Sequence, residues 1–564
     1  MTNTVFVLFS AFVVFAFGYR FFSKFLVAWV FRSNVDYSTP APQVADSSDR
    51  LSSARYMPLI QRISSLAAAV PIIGVTMAMA WGWIPIFLWA ICGSVVAAGT
   101  YAMGSLWLAQ QCRRATAAGQ THNVTGNRGT IPILALVAAL SVLVNALMLL
   151  VMTKTLTAYP ASTIPFLLFG GIALALGVLV HRYTNLGIPP AALIALATGL
   201  LALWACRDTP LQFIGQLQLQ ITATRTLTLD ARVAWIVIAS ALAWYITRQP
   251  RWRFALPYGL LSTALLGTLL LILFAAIVVA HPVLTAPAFH RPHGGQAVLP
   301  WLFVTVTSGA IGGWQALVAV DYTPRRPGAE AGIQRLGYGG AIADALIALG
   351  AILASSAAFS GHKAWLGTYA QWNNVTQLGQ ILQIYIRGIT VLGRDLGLNP
   401  AFASTLGTVT LACLSMATLV GALGMQRQAL EELEHSGALP GKVKNRIVAA
   451  GLVLAAGLAT QASWGHALAY WPLFGSAGIS TAAALLAVMV LALARRRLPL
   501  LPVLTVLVFV LATGVWAIIL ELAEFWAHHQ WTALGVCLVL AFTLAVALWR
   551  TAAAVSQSLR ERHS

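Results

Sequence analysis

Four stretches of this sequence place polar, small or helix-breaking residues inside segments that are otherwise apolar. None pairs a nucleophile with a base or groups metal ligands, so the chemistry they offer is the binding of a solute or an ion. Backbone groups freed from a helix at membrane depth are tolerated only where protein buries them or where they line a cavity. We therefore assign a substrate and ion pathway to Pro71, Gly74, Thr76, Thr307, Ser308, Gly309, Gly312, Gln315, Tyr338, Gly339, Gly340, Asp344, Pro472, Gly475 and Ser476.

The first stretch, residues 69–76, combines Pro71, Gly74 and Thr76 in one apolar segment. Proline has no backbone N–H and cannot complete the helical ladder. The pattern predicts that these three residues form a break in the helix, and that the broken helix lines a substrate or ion site. An ordinary kink in a membrane helix is the alternative.

The second stretch, residues 305–315, carries the hydroxyls of Thr307 and Ser308, the small residues Gly309 and Gly312, and the amide of Gln315. Small residues in membrane helices allow close helix packing. The stretch fits such a packing surface, and it fits equally a polar wall from which Gln315 reaches a ligand.

The third stretch, Tyr338-Gly339-Gly340, is followed one turn later by Asp344. A carboxylate inside a membrane span is costly unless it is paired, protonated or close to water. Asp344 is therefore a candidate proton or cation carrier, and the glycines a hinge or close contact. A structural Asp344 that reaches the membrane surface is the alternative.

The fourth stretch holds Pro472, Gly475 and Ser476 near the start of another apolar segment. Proline is common in the first turn of a helix and says little by itself. The small residues that follow predict a close approach, either to another helix or to a ligand.

Other polar residues near the ends of apolar segments do not predict a site. Glu521 and Glu524 close one segment, and we expect water at the membrane interface to solvate them. His290 and His293 lie in a Pro-rich connection without a carboxylate or cysteine beside them, so we expect no metal ion there. Nucleotide-binding, hydrolase and haem-attachment motifs are absent, and we expect neither an enzyme nor a cofactor.

The elements that must position these residues are membrane-spanning helices. Of 564 residues, 59% are hydrophobic and only 9% are charged, too few to cover a globular surface, so lipid must be the solvent. We predict an all-α polytopic membrane protein with about fifteen spans of about 20 residues each. The predicted spans are 4–22, 62–80, 84–110, 131–153, 162–181, 188–206, 232–247, 256–280, 299–320, 338–358, 401–424, 446–461, 472–494, 499–522 and 531–549.

The basic residues alternate between the two sides of these spans. The net charge of +19 would suit a nucleic-acid partner, but the Lys and Arg residues form no patch. Most of them fall in every second connection, which predicts an N-terminus outside and a C-terminus in the cytoplasm. The same alternation predicts an odd number of spans.

The connections contain no soluble domain. We predict a transporter core over 1–497, with a polar cytoplasmic linker at 33–60 and long outer connections at 207–230 and 359–400, and then two further spans and a short tail over 498–564. We expect an ordered lid in 207–230. In 359–400 we expect a helix lying on the membrane surface, whose apolar face comprises Leu378, Ile381, Leu382, Tyr385 and Ile386.

Motifs in a fixed order carry a resemblance to a known family. They are Tyr19-Arg20-Phe21-Phe22, Pro71-x-x-Gly74, Gly82-Trp83-Ile84-Pro85 with Trp89, Phe303 to Leu317, Thr323-Pro324, Leu336 to Asp344, and Trp471 to Gly475. Together they resemble the carbon starvation protein A family, whose known members take up peptides or pyruvate across the bacterial inner membrane. The chain is similar to a divergent member, since Gln315, Asp344 and Gly478 stand where the family has His, Glu and Asn.

The resemblance implies a fold related to amino-acid transporters, with inverted repeats, broken helices near the midplane and gradient-driven transport. It predicts a secondary transporter that imports a peptide or a pyruvate-like carboxylate with a coupling ion, expected to be a proton, in the carbon starvation response. Because several polar groups of the family are missing, a sensor or an accessory subunit of a membrane complex is the alternative.

Overall fold

The computed structural model describes residues 3–32, 56–66, 69–111, 117–183, 187–209, 217–222, 225–229, 231–306, 314, 317–318, 332–438, 445–462 and 471–560. The predicted linker at 33–60 lies outside these residues up to position 55, and a helix begins within it at Met57. Five of the proposed pathway residues also lie outside the described part: Thr307, Ser308, Gly309, Gly312 and Gln315.

The described chain is almost entirely helical, as predicted. The helices of the first half are α1 Thr4–Phe31, α2 Met57–Ser64, α3 Ala69–Trp81, α4 Trp83–Ala109, α5 Ala117–Ala158, α6 Pro160–Arg182, α7 Ile188–Ala205, α8 Ala231–Arg248 and α9 Ala255–Ala280. Those of the second half are α10 Val298–Thr305, α11 Ile333–Ala357, α12 His362–Tyr369, α13 Trp372–Val375, α14 Leu378–Asp395, α15 Pro400–His435, α16 Asn445–Ala462, α17 Trp471–Arg495, α18 Leu501–Ala527 and α19 Trp531–Arg560.

The outer connection 207–230 contains two antiparallel strands, β1 Leu217–Thr222 and β2 Arg225–Leu229. Such a short hairpin is ordered structure in the segment where we expected a lid. Whether it covers a pathway stays a prediction.

Within the described residues, eleven helices are long and apolar enough to cross a membrane, or twelve if the bent pair α2–α3 is one span. The predicted count of about fifteen is therefore not confirmed. Two of the remaining segments, α8 and α16, are helical but less apolar: α8 includes Arg232 and Arg248, and the apolar part of α16 is only Val448–Leu458. The segment 299–320 is described as a helix only up to Thr305.

Burial separates central helices from helices that face lipid. In the most apolar 18-residue stretch of α17, 89% of the residues are buried, against 22% in α7. Peripheral helices expose large apolar side chains such as Leu193 and Leu271, which only lipid can cover favourably. The helices α18 and α19 pack against α17. The predicted division at residue 497 stays a prediction.

Connections that we predicted to lie outside meet at one end of the bundle. Asn3 forms a β-bridge with Val283, and His293 forms one with Gln371. In the predicted topology Asn3 lies at the outer N-terminus. Val283 and His293 lie in the outer connection between the spans 256–280 and 299–320, and Gln371 lies in the outer connection 359–400. These bridges place the three segments at the same end of the bundle, whereas the side that faces the cytoplasm stays a prediction.

The helix α14 corrects our expectation for the connection 359–400. Its apolar face is as predicted, but Leu378, Ile381 and Tyr385 are buried against α11, α15 and α9 and do not lie in the lipid surface. Gly388 makes this possible, because the carbonyl oxygen of Ala354 lies where a Cβ atom would be. An amphipathic sequence shows that a face is covered, not whether lipid or protein covers it.

We predict that Gly388→Ala destabilises the protein by about 1–3 kcal/mol, because the added methyl group forces α14 away from α11. The matched control is Gly367→Ala in α12, where no atom lies within 4 Å of the new methyl group. That change should be neutral or stabilise by up to about 1 kcal/mol, since alanine favours helix. Thermal unfolding followed by tryptophan fluorescence measures both, and equal midpoints would contradict the packing described here.

Candidate functional site

Three of the predicted stretches converge where α10 ends. The carbonyl oxygen of Thr305 accepts a hydrogen bond from Trp471 Nε1 at 3.2 Å and lies against Gly74 of α3. One residue earlier, the Val304 carbonyl lies against Gly475 of α17. Helix ends leave their last carbonyls without partners in the helix. The glycines let two neighbouring helices approach these carbonyls, and we call Gly74, Val304, Thr305, Trp471 and Gly475 the three-helix junction.

The break in the second span lies before Pro71. The helix α3 is continuous from Ala69 through Pro71, Gly74 and Thr76, and the span bends by 47° between Ser64 and Ala69. Our prediction that Pro71, Gly74 and Thr76 form the break therefore misplaced it by several residues. Pro71 belongs to the first turn of α3, where the missing N–H costs no helical hydrogen bond.

A buried charge pair lies beside this bend. Arg62 of α2 and Asp344 of α11 are 1% and 0% exposed, and the Asp344 carboxylate interacts electrostatically with the guanidinium. Arg62 Nη1 also donates to the carbonyl oxygen of Leu336. In the part of the chain that is described, Arg62 Nε and Nη2 have no hydrogen-bond partner. A buried arginine normally satisfies its donors, so these two are notable as unused donors that an anionic group would accept.

Gly340 is the residue that admits Arg62. A Cβ atom at Gly340 would overlap the guanidinium group, so the predicted close contact of this glycine is with an arginine side chain. Gly339 has no atom within 4 Å of its missing Cβ position. Tyr338 is buried away from the pair, and its hydroxyl donates to the carbonyl oxygen of Val95 at 2.9 Å.

A tyrosine holds the outer part of α3 in place through a hydrogen bond. Thr76 shares a hydrogen bond of 2.9 Å with Ser355 of α11, and its carbonyl accepts one of 2.8 Å from the Tyr369 hydroxyl. Burial raises the pKa of the Tyr369 phenol above its ordinary value, so it stays a donor across the physiological range. Thr76 thus connects two helices and an outer segment.

Aromatic side chains cover this end of the bundle. The ring centroids of Trp365 and Tyr369 are 4.9 Å apart, those of Trp81 and Trp372 are 5.1 Å apart, and His290 stands edge-on to Trp365. Trp81, Trp365 and Tyr369 are fully buried. We call these five residues the outer aromatic cluster.

A cavity of about 110 Å³ opens at the other end of the bundle. Its lining includes Gln61 and Ser64 of α2, Arg251, Tyr258 of α9 and Arg427 of α15. Arg427 also pairs with Glu431 at 3.5 Å. The cavity adjoins the bend between α2 and α3, and its arginines attract anions.

The fourth stretch reveals a group that sequence reasoning missed. Pro472 is the second residue of α17, and Ser476 Oγ donates to Glu521 Oε2 at 2.8 Å. Glu521 is 0% exposed, so our expectation that water solvates it was wrong. Glu524, one turn later, is only half-buried.

Arg62 was also missed as a site residue. It counted as one of many basic residues in a cytoplasmic connection, because it stands at the first position of the predicted span 62–80. Its distance of nine residues from Pro71, less than three helical turns, is the signal that could have placed it inside the bend.

The number and apolar character of the described helices define a multi-pass membrane protein. The sequence profile of the family described as carbon starvation protein CstA matches residues 3–378. The chain belongs to this family.

Relatives in the family are distant. The peptide transporter CstA of Mycobacterium tuberculosis is 24% identical over 372 residues, which cover 63% of this chain and 46% of the relative. The peptide transporter CstA of Bacillus subtilis is 24% identical over 422 residues, 73% of this chain and 66% of the relative. The pyruvate/proton symporter BtsT of Escherichia coli is 24% identical over 362 residues, 61% of this chain and 48% of the relative. The matched part thus spans about half the length of most of these relatives.

Among solved structures, a manganese transporter of Eremococcus coleocola aligns with 93% of this chain and 99% of its own. The TM-score is 0.44 and the identity 11%.

We predict that Asp344→Leu destabilises the protein by about 3–5 kcal/mol, because it leaves the Arg62 charge buried without its counter-ion. Adding Arg62→Met should restore most of that stability, since the pair is then replaced by apolar side chains of similar volume. Chemical unfolding of the single and double variants gives the coupling free energy. Additive effects would show that the two charges do not depend on each other.

We predict that Tyr369→Phe costs about 1–3 kcal/mol, because the buried Thr76 carbonyl loses its donor. Tyr245→Phe is the control, since Tyr245 is 52% exposed on α8. Unfolding midpoints of the two variants measure the difference. Equal midpoints would show that the Tyr369 hydroxyl does not stabilise the outer end of α3.

Proposed function

We propose that the protein is a secondary active transporter of the bacterial inner membrane that imports a small organic carboxylate, either a peptide or a pyruvate-like acid, together with a proton. The observation that carries the proposal is the buried Arg62–Asp344 pair beside the bend of the second span. Import of carbon compounds under carbon starvation is the setting that the family membership suggests.

Arg62 supports a carboxylate as the solute group. A guanidinium group binds a carboxylate through two parallel hydrogen bonds, and Nε and Nη2 form one such edge. These are the two donors of Arg62 that no described group accepts. Peptides and pyruvate-like acids both carry the carboxylate that this edge fits.

Asp344 supports proton coupling through charge balance. In the structure one buried cation faces one buried anion. A solute carboxylate that reaches Arg62 adds a second negative charge, which is unfavourable in a low-dielectric site. Protonation of Asp344 removes the excess charge, so solute and proton bind together and leave together.

The two ends of the bundle support alternating access. The outer aromatic cluster closes one end, while the cavity with Arg251 and Arg427 adjoins the bend at the other. In the topology that the Lys and Arg distribution predicts, the closed end faces outward and the cavity faces the cytoplasm. Tilting of α2 and α3 about their bend is a rearrangement that would connect the pair to either side.

Uptake by proteoliposomes that contain only this protein tests the proposal. Labelled pyruvate and labelled dipeptides are supplied with and without an inward proton gradient. One pH unit corresponds to about 1.4 kcal/mol per proton and supports about tenfold accumulation. Gradient-dependent accumulation of either solute is expected. Folded, inserted protein that accumulates neither would overturn the proposal and favour an accessory role.

We predict that Asp344→Asn abolishes accumulation driven by the proton gradient, because an amide cannot take up or release the proton. Exchange of labelled for unlabelled solute should persist, since the neutral amide resembles the protonated carboxyl. Asp395→Asn, at an exposed position on α14, is the matched control and should accumulate solute like the wild type. Normal gradient-driven accumulation by Asp344→Asn would exclude the proton role of Asp344.

A further inference from the structure

Glu521 of α18 is a buried carboxyl group beyond the part of the chain that matches the family profile. Its side chain is 0% exposed. Oε2 accepts a hydrogen bond of 2.8 Å from the hydroxyl of Ser476 of α17. The thiol of Cys537 of α19 lies 3.7 Å from the same oxygen. Oε1 has no hydrogen-bond partner within the described chain.

The helices around Glu521 supply no counter-ion in their described sequences. The helix α10 and the segment Gly99–Gln111, which includes the last part of α4 and two residues beyond it, contain no Asp, Glu, Lys, Arg or His. Their one further titratable group is Tyr101. The charged residues of α17 and α19 are Arg495, Arg550 and Arg560, many turns from Ser476 and Cys537.

The lack of a cationic side chain near Glu521 in the described helices decides which occupant its carboxyl group favours. A buried carboxylate without a cation is costly, whereas a protonated carboxyl is far less so. A metal cation is a poor occupant, because hard cations take six or more oxygen ligands and the described side chains contacting Glu521 offer one hydroxyl. The chemistry therefore favours a proton.

A polar route leads from Glu521 to the outer end of the bundle. Glu524 is one turn further along α18 and interacts electrostatically with Glu521. Its carboxylate accepts a hydrogen bond of 2.7 Å from Gln296, which belongs to the predicted outer connection before α10. His528, which is exposed, lies one more turn along, and its ring Nδ1 is 2.9 Å from the Glu524 backbone carbonyl.

On its other side Glu521 reaches the three-helix junction. Ser476, its hydrogen-bond partner, directly follows Gly475, whose backbone lies against Val304. Trp471, one turn earlier in α17, donates to Thr305. Gain or loss of a proton at Glu521 changes the acceptor strength towards Ser476 and so acts on the helix that carries two junction residues.

We propose that Glu521 is a second proton-binding residue, filled from the outer end through Glu524, whose protonation state is passed to the three-helix junction through Ser476. The proton binding itself does not depend on transport, whereas its role in coupling rests on the proposed function.

Infrared spectroscopy of the purified protein tests proton binding directly. The wild type should show the carbonyl band of a protonated carboxyl group at neutral pH. Glu521→Gln should remove that band, and Asp344→Asn should keep it. Identical carboxyl bands in the wild type and in Glu521→Gln over the whole titration would overturn the proposal.

Ser476→Ala keeps the carboxyl group and guards against a Glu521 variant that does not fold. Because the hydrogen bond from Ser476 is lost, the Glu521 band should shift in this variant. A band that neither shifts nor changes its titration would show that Ser476 does not report on Glu521, and the link to the junction would be wrong.

Uptake by proteoliposomes tests the coupling role. Glu521→Gln should still exchange labelled for unlabelled solute. It should lose the accumulation of about tenfold per pH unit that is expected of the wild type. Glu432→Gln, near the end of α15, is the control and should accumulate solute like the wild type. An inward Na⁺ gradient should not replace the proton gradient. Full accumulation by Glu521→Gln, or accumulation driven by Na⁺, would contradict the coupling role. Absence of uptake by the wild type would refute the proposed function. In that case the infrared measurement alone would decide whether Glu521 binds a proton.

Discussion

The interaction between the Arg62 guanidinium and the Asp344 carboxylate is the constraint around which this bundle is arranged. A buried charge in a membrane protein is far less costly when it meets an opposite charge. The bend before Ala69 brings α2 to α11, and the lack of a side chain at Gly340 leaves room for the guanidinium. The π-helical turns at Ile333–Tyr338 precede Asp344 and include Leu336, whose carbonyl accepts from Arg62.

Around this pair the bundle combines rigid and interrupted helices. The long helices α5 and α15 pack along each other and form a continuous wall. By contrast α10 stops at Thr305, and its last carbonyls are covered by Gly74 and Gly475. Contacts made through glycine backbones and single tryptophan or tyrosine hydrogen bonds are few and local. They suit helices that move relative to this wall, as the proposed transport requires.

The fold class and most of the spans followed from hydropathy, because an apolar stretch of spanning length has one stable form in lipid. The interruptions followed from Pro and Gly only approximately: Gly74 and Gly475 do reach the junction, but the bend is not at Pro71. Arg62 and Glu521 could not be placed, because a charge beside an apolar stretch looks the same whether water or protein surrounds it. Their burial depends on partners hundreds or tens of residues away, such as Leu336 and Ser476.

Under the proposed function, charge balance at the Arg62–Asp344 pair couples the entry of each carboxylate to the entry of a proton. The most direct measurement is proton movement driven by the solute. Proteoliposomes with a trapped pH dye and no imposed gradient receive external pyruvate or dipeptide. The account predicts that the lumen becomes acidic as the solute enters. Solute entry without acidification, in protein that is folded and inserted, would contradict it.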